Sequence, residues 1–461
     1  MIKPFVRIRG AKPNQLGTID ERYVKAYGKS WLSSKEHTLK KIEIKDLPIM
    51  ITRDGTIVCI PKQAEQGVIA LVGLSGKGKS LNAGFILDNL FYLWGDSIAL
   101  INDSQAESFE WSEPCDTKEF IQKLKNINQS PMPLPIIYLF PKMYEAKEEQ
   151  LIDKNSVTIS LPFREVINRI EMFIPEIGAS GKYLLMKKEE LLNAESEDDV
   201  FAIIKSIDTG DTKGLAESAR KIEASFRELI DEGILSISDP TVPSYLNTYE
   251  NGKIIYGNKP GEGNPFTAIM KADCIPSFIT DNLYVQKYKD LIFSYYIDSL
   301  FIESLKGAMK GKRVWLFFEE LTKVVSADSR HTNPGTEKAL NQVVARGRNN
   351  GISLVYCTQR YKEIPKPIRD QTKTAIVFRH NSSEETKDIC DDFGVDKTVR
   401  KDILSLKKFE AIAFTTENFI CYKKNKVWEE QGPIKGIILP ALHKNRFLQT
   451  KRKEVKGGKD E

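Results

Sequence analysis

Eight consecutive residues, Gly73-Leu74-Ser75-Gly76-Lys77-Gly78-Lys79-Ser80, fit the pattern G-x-x-x-x-G-K-S without a mismatch. Glycines at these places let the backbone curl, so that successive N–H groups and a helix N-terminus point at one phosphate. A lysine at position 79 reaches the β- and γ-phosphates of a nucleoside triphosphate, and a hydroxyl at position 80 is a ligand for Mg²⁺. The candidate nucleotide contacts are Gly73, Ser75, Gly76, Lys77, Gly78, Lys79, Ser80 and Leu81, with ATP and Mg²⁺ as the expected cofactors. A glycine-rich turn that binds nothing is the bland alternative. The flanking sequence argues against it: residues 67–72 are short, apolar and partly β-branched, as a buried parallel strand requires, and 81–93 have helical spacing with no internal proline.

A second constellation begins at Arg313-Val314-Trp315-Leu316-Phe317-Phe318-Glu319-Glu320. Five apolar residues ending in two acids suit a buried strand that delivers carboxylates to the phosphate end of a sheet. In P-loop ATPases the first acid supports Mg²⁺ through water and the second polarises the attacking water. Here the first is Glu319, where Asp is commoner, and the second is Glu320. Alone, such a run is more often a strand leading to a solvated turn; paired with the loop at 73–80 it points to catalysis.

Asp103 follows another apolar run, 97–101, and is either part of the Mg²⁺ shell, a contact to a neighbouring subunit, or a helix N-cap. Residues 336–359 read as a helix with Ala339, Leu340, Val343 and Val344 on one face, a glycine stop at Gly351, and a strand over 352–357. Arg346 and Arg348 lie at the C-terminal end of that helix, where cations favour the macrodipole. Arginine there can also reach an adjacent subunit's transition state, and Gln359, after the next strand, can sense the γ-phosphate or orient water. The polar loop 322–338, with Lys323, Arg330 and His331, is either plain solvated surface or a channel-facing loop that meets phosphates.

The chain of 461 residues has room for about two to four domains. Its hydrophobic content of 41% and charged content of 28% are those of a soluble globular protein. A net charge of +5 permits a nucleic-acid partner without arguing for one. Six cysteines without a C-x-x-C pair and four dispersed histidines suggest no zinc site, and free thiols fit a reduced, cytoplasmic compartment. The N-terminus lacks an apolar signal core. Residues 283–305 are the most apolar helix candidate, but Lys287, Lys289, Asp290, Asp298 and Glu303 make them an amphipathic soluble helix, so no membrane segment is expected.

The expected class is α/β: a RecA-like P-loop NTPase core with a mainly parallel sheet, an inserted helical domain and a small N-terminal unit. Residues 1–66 form that β-containing unit, with a hairpin turning at Asp54-Gly55; 67–143 and 266–430 form the two parts of the core. The insertion spans 144–265, with helical spacing at 164–177, 182–194, 198–207 and 215–230, then an irregular hairpin around Asn251-Gly252. A short run at 267–270 returns the chain to the core, strands at 374–378 and 410–414 follow, and 431–461 are a basic tail expected to fray.

With these residues in hand, the chain resembles the HerA/FtsK superfamily of hexameric DNA-pumping ATPases, its HerA-like branch above all. The likeness rests on Gly73 to Ser80, on Glu319-Glu320, on Ala345-Arg346-Gly347-Arg348-Asn349-Asn350-Gly351, and on Ser353-Leu354-Val355-Tyr356-Cys357-Thr358-Gln359-Arg360. It implies a RecA-like subunit of a hexameric ring that translocates double-stranded DNA. By that likeness Lys79 and Ser80 hold phosphate and Mg²⁺, Glu319 supports the metal and Glu320 is the base. Arg348 is the trans-acting finger, seconded by Arg346, and Gln359 is the sensor. HerA proteins also carry an N-terminal β-barrel that docks a NurA-type nuclease; with 66 residues before the core, that barrel is absent or reduced here and the nuclease partnership is not carried over. A packaging or plasmid-transfer ATPase is a close rival, and a protein-translocating or protein-remodelling ATPase of a secretion or defence assembly is the alternative from another class.

Overall fold

The computed structural model describes residues 44–62, 67–103, 107–141, 156–159, 161–168, 181–208, 213–231, 234–237, 246–250, 253–256, 274–279, 289–305, 313–327, 334–424 and 426–444. Among them, fourteen strands form one sheet. One half is parallel and runs, in spatial order, β14 (Thr372–Val377), β3 (Val68–Val72), β13 (Ile352–Thr358), β12 (Val314–Phe318), β4 (Ser97–Asp103), β11 (Ile275–Ile279), β5 (Ile136–Pro141) and β6 (Ser156–Ile159). Beyond β14 the sheet continues with antiparallel pairings through β15 (Glu410–Thr415), β18 (Ile434–Ile438), β1 (Leu47–Ile51), β2 (Ile57–Ile60), β16 (Asn418–Lys423) and β17 (Lys426–Gln431). Two short pairs stand outside it: β7 (Leu161–Pro162) with β8 (Leu235–Ser236), and β9 (Leu246–Glu250) with β10 (Lys253–Tyr256).

The central strands β3, β12 and β13 are buried along their whole length, which is why they read as unbroken apolar runs. Alternation on β3 divides the core. Ile69 and Leu71 pack with Leu81, Ile86 and Leu87 of helix α1 (Lys79–Asn89), whereas Val68, Ala70 and Val72 belong to the cluster on the opposite face. The other helices follow as α2 (Lys118–Asn126), α3 (Phe163–Asn168), α4 (Gly181–Met186), α5 (Lys188–Leu192), α6 (Glu197–Lys205), α7 (Lys213–Asp231), α8 (Lys289–Leu305), α9 (Pro334–Arg346), α10 (Lys366–Asp370), α11 (Ser383–Asp392) and α12 (Lys397–Ser405). Helix α7 turns Ala219, Ile222, Phe226 and Leu229 inward, the face its spacing predicts. Helix α6 starts at a capping box, with Ser196 accepting from the Asp199 N–H and the Asp199 carboxylate accepting in return.

Several expectations change. Helix α1 ends at Asn89 rather than near 93; a π-helical turn, Leu90–Trp94, follows and stops at Gly95, whose φ is 72°. Helix α8 is not amphipathic: residues 291–301 are buried on every side, Asp298 included, because the helix lies inside the larger apolar cluster. Among the described residues, no helix is long and apolar enough to cross a membrane.

The hairpin at Asp54-Gly55 forms, with the Gly55 N–H donating to the Thr52 carbonyl. Its strands β1 and β2, however, lie within the main sheet between β18 and β16. The expected tail likewise begins inside the fold, since β18 and residues 439–444 are part of the core. Residues 1–43, the run at 267–270, Arg330, His331 and the tail from 445 lie outside the described residues, as does the Asn251-Gly252 turn between β9 and β10.

The C-terminal segment is anchored by a buried polar contact on α1. Asp88 and His443 are both fully buried; Asp88 Oδ1 lies 2.8 Å from His443 Nδ1, and Asp88 Oδ2 accepts from the Leu442 N–H at 2.6 Å. The imidazole stacks on Trp111 at 4.5 Å and rests on Gly84, where a Cβ would come within 2.8 Å of the ring. Burial raises the Asp88 carboxyl's pKa, while the charge and hydrogen bond of His443 pull it down.

Candidate nucleotide site

The phosphate loop leaves β3 at Gly73 and enters α1 at Lys79, so the strand, loop and helix that the motif requires are in place. Gly73 has φ 152°, and a Cβ there would lie 2.6 Å from Phe378 Cβ. Gly78, the residue before α1, has φ 117°, and a Cβ would lie 2.6 Å from Ile438 Cδ1. Neither position accepts a side chain, which fixes the curl of the loop. The loop start is tied to both neighbouring strands: the Gly73 N–H donates to the Thr358 carbonyl at 3.1 Å and the Leu74 N–H to the Arg379 carbonyl at 3.2 Å.

The loop's chemistry suits a bound triphosphate. Helix α1 has no side-chain cap and no acid in its first turn, leaving its leading N–H groups for an anion. The Lys79 ammonium is buried under the loop and donates to the carbonyls of Gly73 at 2.6 Å and Leu74 at 3.1 Å. A cation held there fits a phosphate chain lying on the loop. Ser80 is half-buried at the start of α1, where a hydroxyl meets the metal of a nucleotide complex. Among the described residues, no group of three His, Cys, Asp or Glu side chains could hold a metal without such a partner.

The acid pair follows β12 at the same edge of the sheet. Register carries this across three strands: Phe318 pairs with Tyr356, and Thr358 pairs with Val72. Glu319, Glu320 and Gln359 therefore emerge beside Gly73, with strands about 4.8 Å apart. The structure brings Glu320 and Gln359 together directly, because Glu320 Oε1 lies 3.3 Å from the Gln359 N–H and also accepts from Thr322 Oγ1 at 2.8 Å. These two donors hold the carboxylate at the strand end. Asp103 closes β4 at that edge too, opposite Ile279 of β11 and beyond the acidic strand from the loop.

The two arginines are elsewhere. Arg346 ends α9 and is exposed, and Arg348 opens the turn Arg348–Asn350 that precedes β13. They sit at the beginning of β13, whereas Gln359 follows its end. Seven residues of strand, roughly 23 Å, separate the two edges. Within one chain Arg346 and Arg348 do not join Lys79, Glu320 and Gln359.

Several neighbours of the loop carried no sequence signal. His380 is 1% exposed; its Nδ1 lies 3.4 Å from Glu385 Oε2, and its Nε2 has no hydrogen-bond partner among the described residues. Burial holds its pKa below the ordinary histidine value, against the pull of Glu385, and the positive charge of Lys79 adds to the lowering. Thr322 and Phe409, which meets the loop from the antiparallel side, were likewise invisible. One histidine after an apolar run is the only cue the sequence offered, and no motif accompanies it.

Fold and phosphate loop together define the class: this is a RecA-like P-loop NTPase fold. Among solved structures, the chain is similar to the plasmid coupling protein TrwB in complex with the non-hydrolysable GTP analogue GDPNP, at TM-score 0.51 and 13% identity over 88% of this chain and 92% of that one. The unbound monoclinic form of the bacterial conjugative coupling protein TrwBΔN70 aligns at TM-score 0.50, with the same identity and coverage. VirB4 of Thermoanaerobacter pseudethanolicus aligns at 0.48, with 10% identity over 84% of this chain and 96% of that one. At these identities the likeness is one of fold. No protein-family model and no curated protein matches the sequence.

Proposed function

We propose that this chain is the ATP-hydrolysing subunit of a homo-oligomeric ring, hexameric by the HerA/FtsK resemblance, that moves double-stranded DNA in transfer or packaging. The observation that carries the reading is the shared sheet edge: Lys79 on the phosphate loop, and Glu320 held by Gln359 and Thr322 two strands away. A base at the γ-phosphate end and a lysine under the loop are what phosphoanhydride hydrolysis needs. Lys79, freed from the Gly73 and Leu74 carbonyls, neutralises phosphate charge; Glu320 takes the proton of the attacking water; Gln359 orients that water. Mg²⁺ would be held by Ser80, with support from Glu319 and Asp103, and would supply further charge neutralisation.

The placement of Arg346 and Arg348 at the far edge supports a ring. A cation that cannot reach its own site serves catalysis only by meeting the site of the next subunit. DNA as the cargo rests on the sequence resemblance, and the similarity to a conjugative coupling protein agrees with it. A triplex-displacement assay tests the motor directly: ATP-dependent stripping of a third strand from linear duplex is expected from wild type and absent from Glu320→Gln. Displacement without ATP, or none from assembled and hydrolysing protein, contradicts it.

A further inference from the structure

A nucleotide has two ends, and the residues around the phosphate loop assign a direction to it. The loop grips the β-phosphate, while Glu319, Glu320 and Gln359 lie on the side of β12 and β13, which makes that the γ-phosphate end. The nucleoside must therefore emerge on the other side of β3, where β14 and β18 end and β15 begins. Strand β15 runs antiparallel to β14, so its beginning lies at the phosphate edge, and the residue immediately before it is Phe409.

Phe409 is built against the phosphate loop. Its N–H donates to the Lys77 carbonyl at 3.1 Å, its carbonyl accepts from the Ile438 N–H at 3.0 Å, and its Cδ1 is 3.0 Å from where a Gly78 Cβ would be. Its φ of 69° is a left-handed conformation that bulky residues rarely adopt, and such outliers collect at ligand sites. The ring is half-buried, with Phe120 of α2 edge-on at 6.3 Å. Two ammonium groups stand over it, Lys408 Nζ at 4.7 Å and Lys123 Nζ at 5.9 Å from the ring centre. The exposed Lys408 marks the electron-rich face as one a flexible side chain covers and can leave.

We propose that Phe409 is the base platform of the nucleotide site: the purine of a nucleoside triphosphate stacks on its ring, and Lys408 and Lys123 turn to acceptor atoms of the base and ribose. The inference rests on the nucleotide reading above and adds to it where the nucleoside lies. Aromatic rings stack on any base, so the platform supplies affinity rather than strict selection of one base.

Calorimetric titration of the full chain with Mg-ATP and, separately, with inorganic tripolyphosphate tests it, because tripolyphosphate has the phosphates and no base. Phe409→Ala is expected to weaken ATP about 10-fold or more while tripolyphosphate affinity stays within about 2-fold, and Phe409→Trp is expected to keep both. Phe409→Leu, which keeps apolar bulk beside Gly78, should behave like Phe409→Ala. Equal loss of both ligands in Phe409→Ala and Phe409→Leu means that the residue only shapes the loop and overturns the platform. Unchanged ATP affinity in both variants overturns it too. A wild-type chain that binds neither ligand overturns the nucleotide reading itself, and the platform with it.

Discussion

Removing His443 should cost the fold several kcal/mol and should do so more at high pH than at low. The imidazole is fully buried and covers Asp88 on the phosphate-loop helix, with Nδ1 2.8 Å from Oδ1. His443→Ala removes the imidazole and leaves the carboxylate buried, with the backbone N–H groups of Leu442, at 2.6 Å, and of residue 443 still facing it. Breaking a buried pair from one side costs about 3–5 kcal/mol, against a total stability of about 5–15. With a urea slope of about 3 kcal/mol/M, the midpoint should fall by about 1–1.7 M.

The pH dependence follows from Asp88, whose pKa burial already raises. Without His443 to oppose burial it rises further, so the folded variant binds a proton that the unfolded chain releases above about 3.9. Stability is then lost as pH climbs from that value through the folded pKa, and the deficit against wild type should be larger at pH 8 than at pH 5. Urea unfolding followed by tryptophan fluorescence, with Trp111 stacked on the imidazole, reads both quantities. Adding Asp88→Asn to His443→Ala should restore part of the loss, with a coupling of about 0.5–3 kcal/mol. A deficit below about 1 kcal/mol, or fully additive variants, would refute the reasoning.

Three further outcomes are expected. Glu320→Gln should lower steady-state ATP turnover by about 10²–10⁴-fold with calorimetric ATP affinity retained; preserved hydrolysis removes Glu320 from the role of base. Mixing Lys79→Ala with Arg348→Ala subunits, each inactive alone, should restore about a quarter of wild-type turnover, because a random ring pairs an intact loop with an intact arginine at one interface in four; no recovery from mixed rings contradicts a trans arginine. His380, held below its ordinary pKa by burial, makes the unfolded chain the better proton binder below about pH 6.5, so stability should fall as pH drops through that value. In His380→Gln the decline in urea midpoint between pH 7.5 and 5.5 should be shallower; equal declines would contradict the assignment.

The parallel half of the fold was legible because its strands are buried on both faces and carry unmixed apolar sequence, as β3, β12 and β13 do. The antiparallel half was not. Strand β17 exposes Lys426, Val427, Glu429, Glu430 and Gln431, and such a polar edge strand resembles surface loop. Nor does sequence tell that a hairpin at 47–60 pairs with strands near 420 and 437, since that register is set by contacts nearly four hundred residues apart. Within the site, the loop carries its own signature. Glu320 and Gln359 were readable from strand ends, where direction fixes the edge. His380 and Phe409 were not, because their roles arise from neighbours that packing supplies. The separation of Arg346 from Gln359 follows from strand direction too: one precedes β13 and the other follows it.

The most direct measurement of the central claim is steady-state ATP hydrolysis by the assembled chain, with and without linear double-stranded DNA, at low and moderate salt. A DNA motor gives turnover that DNA strongly stimulates, and stimulation that fades as salt rises, since phosphate contacts release counterions. Turnover indifferent to DNA at both salt concentrations would contradict DNA as the cargo and favour a protein substrate on the same fold.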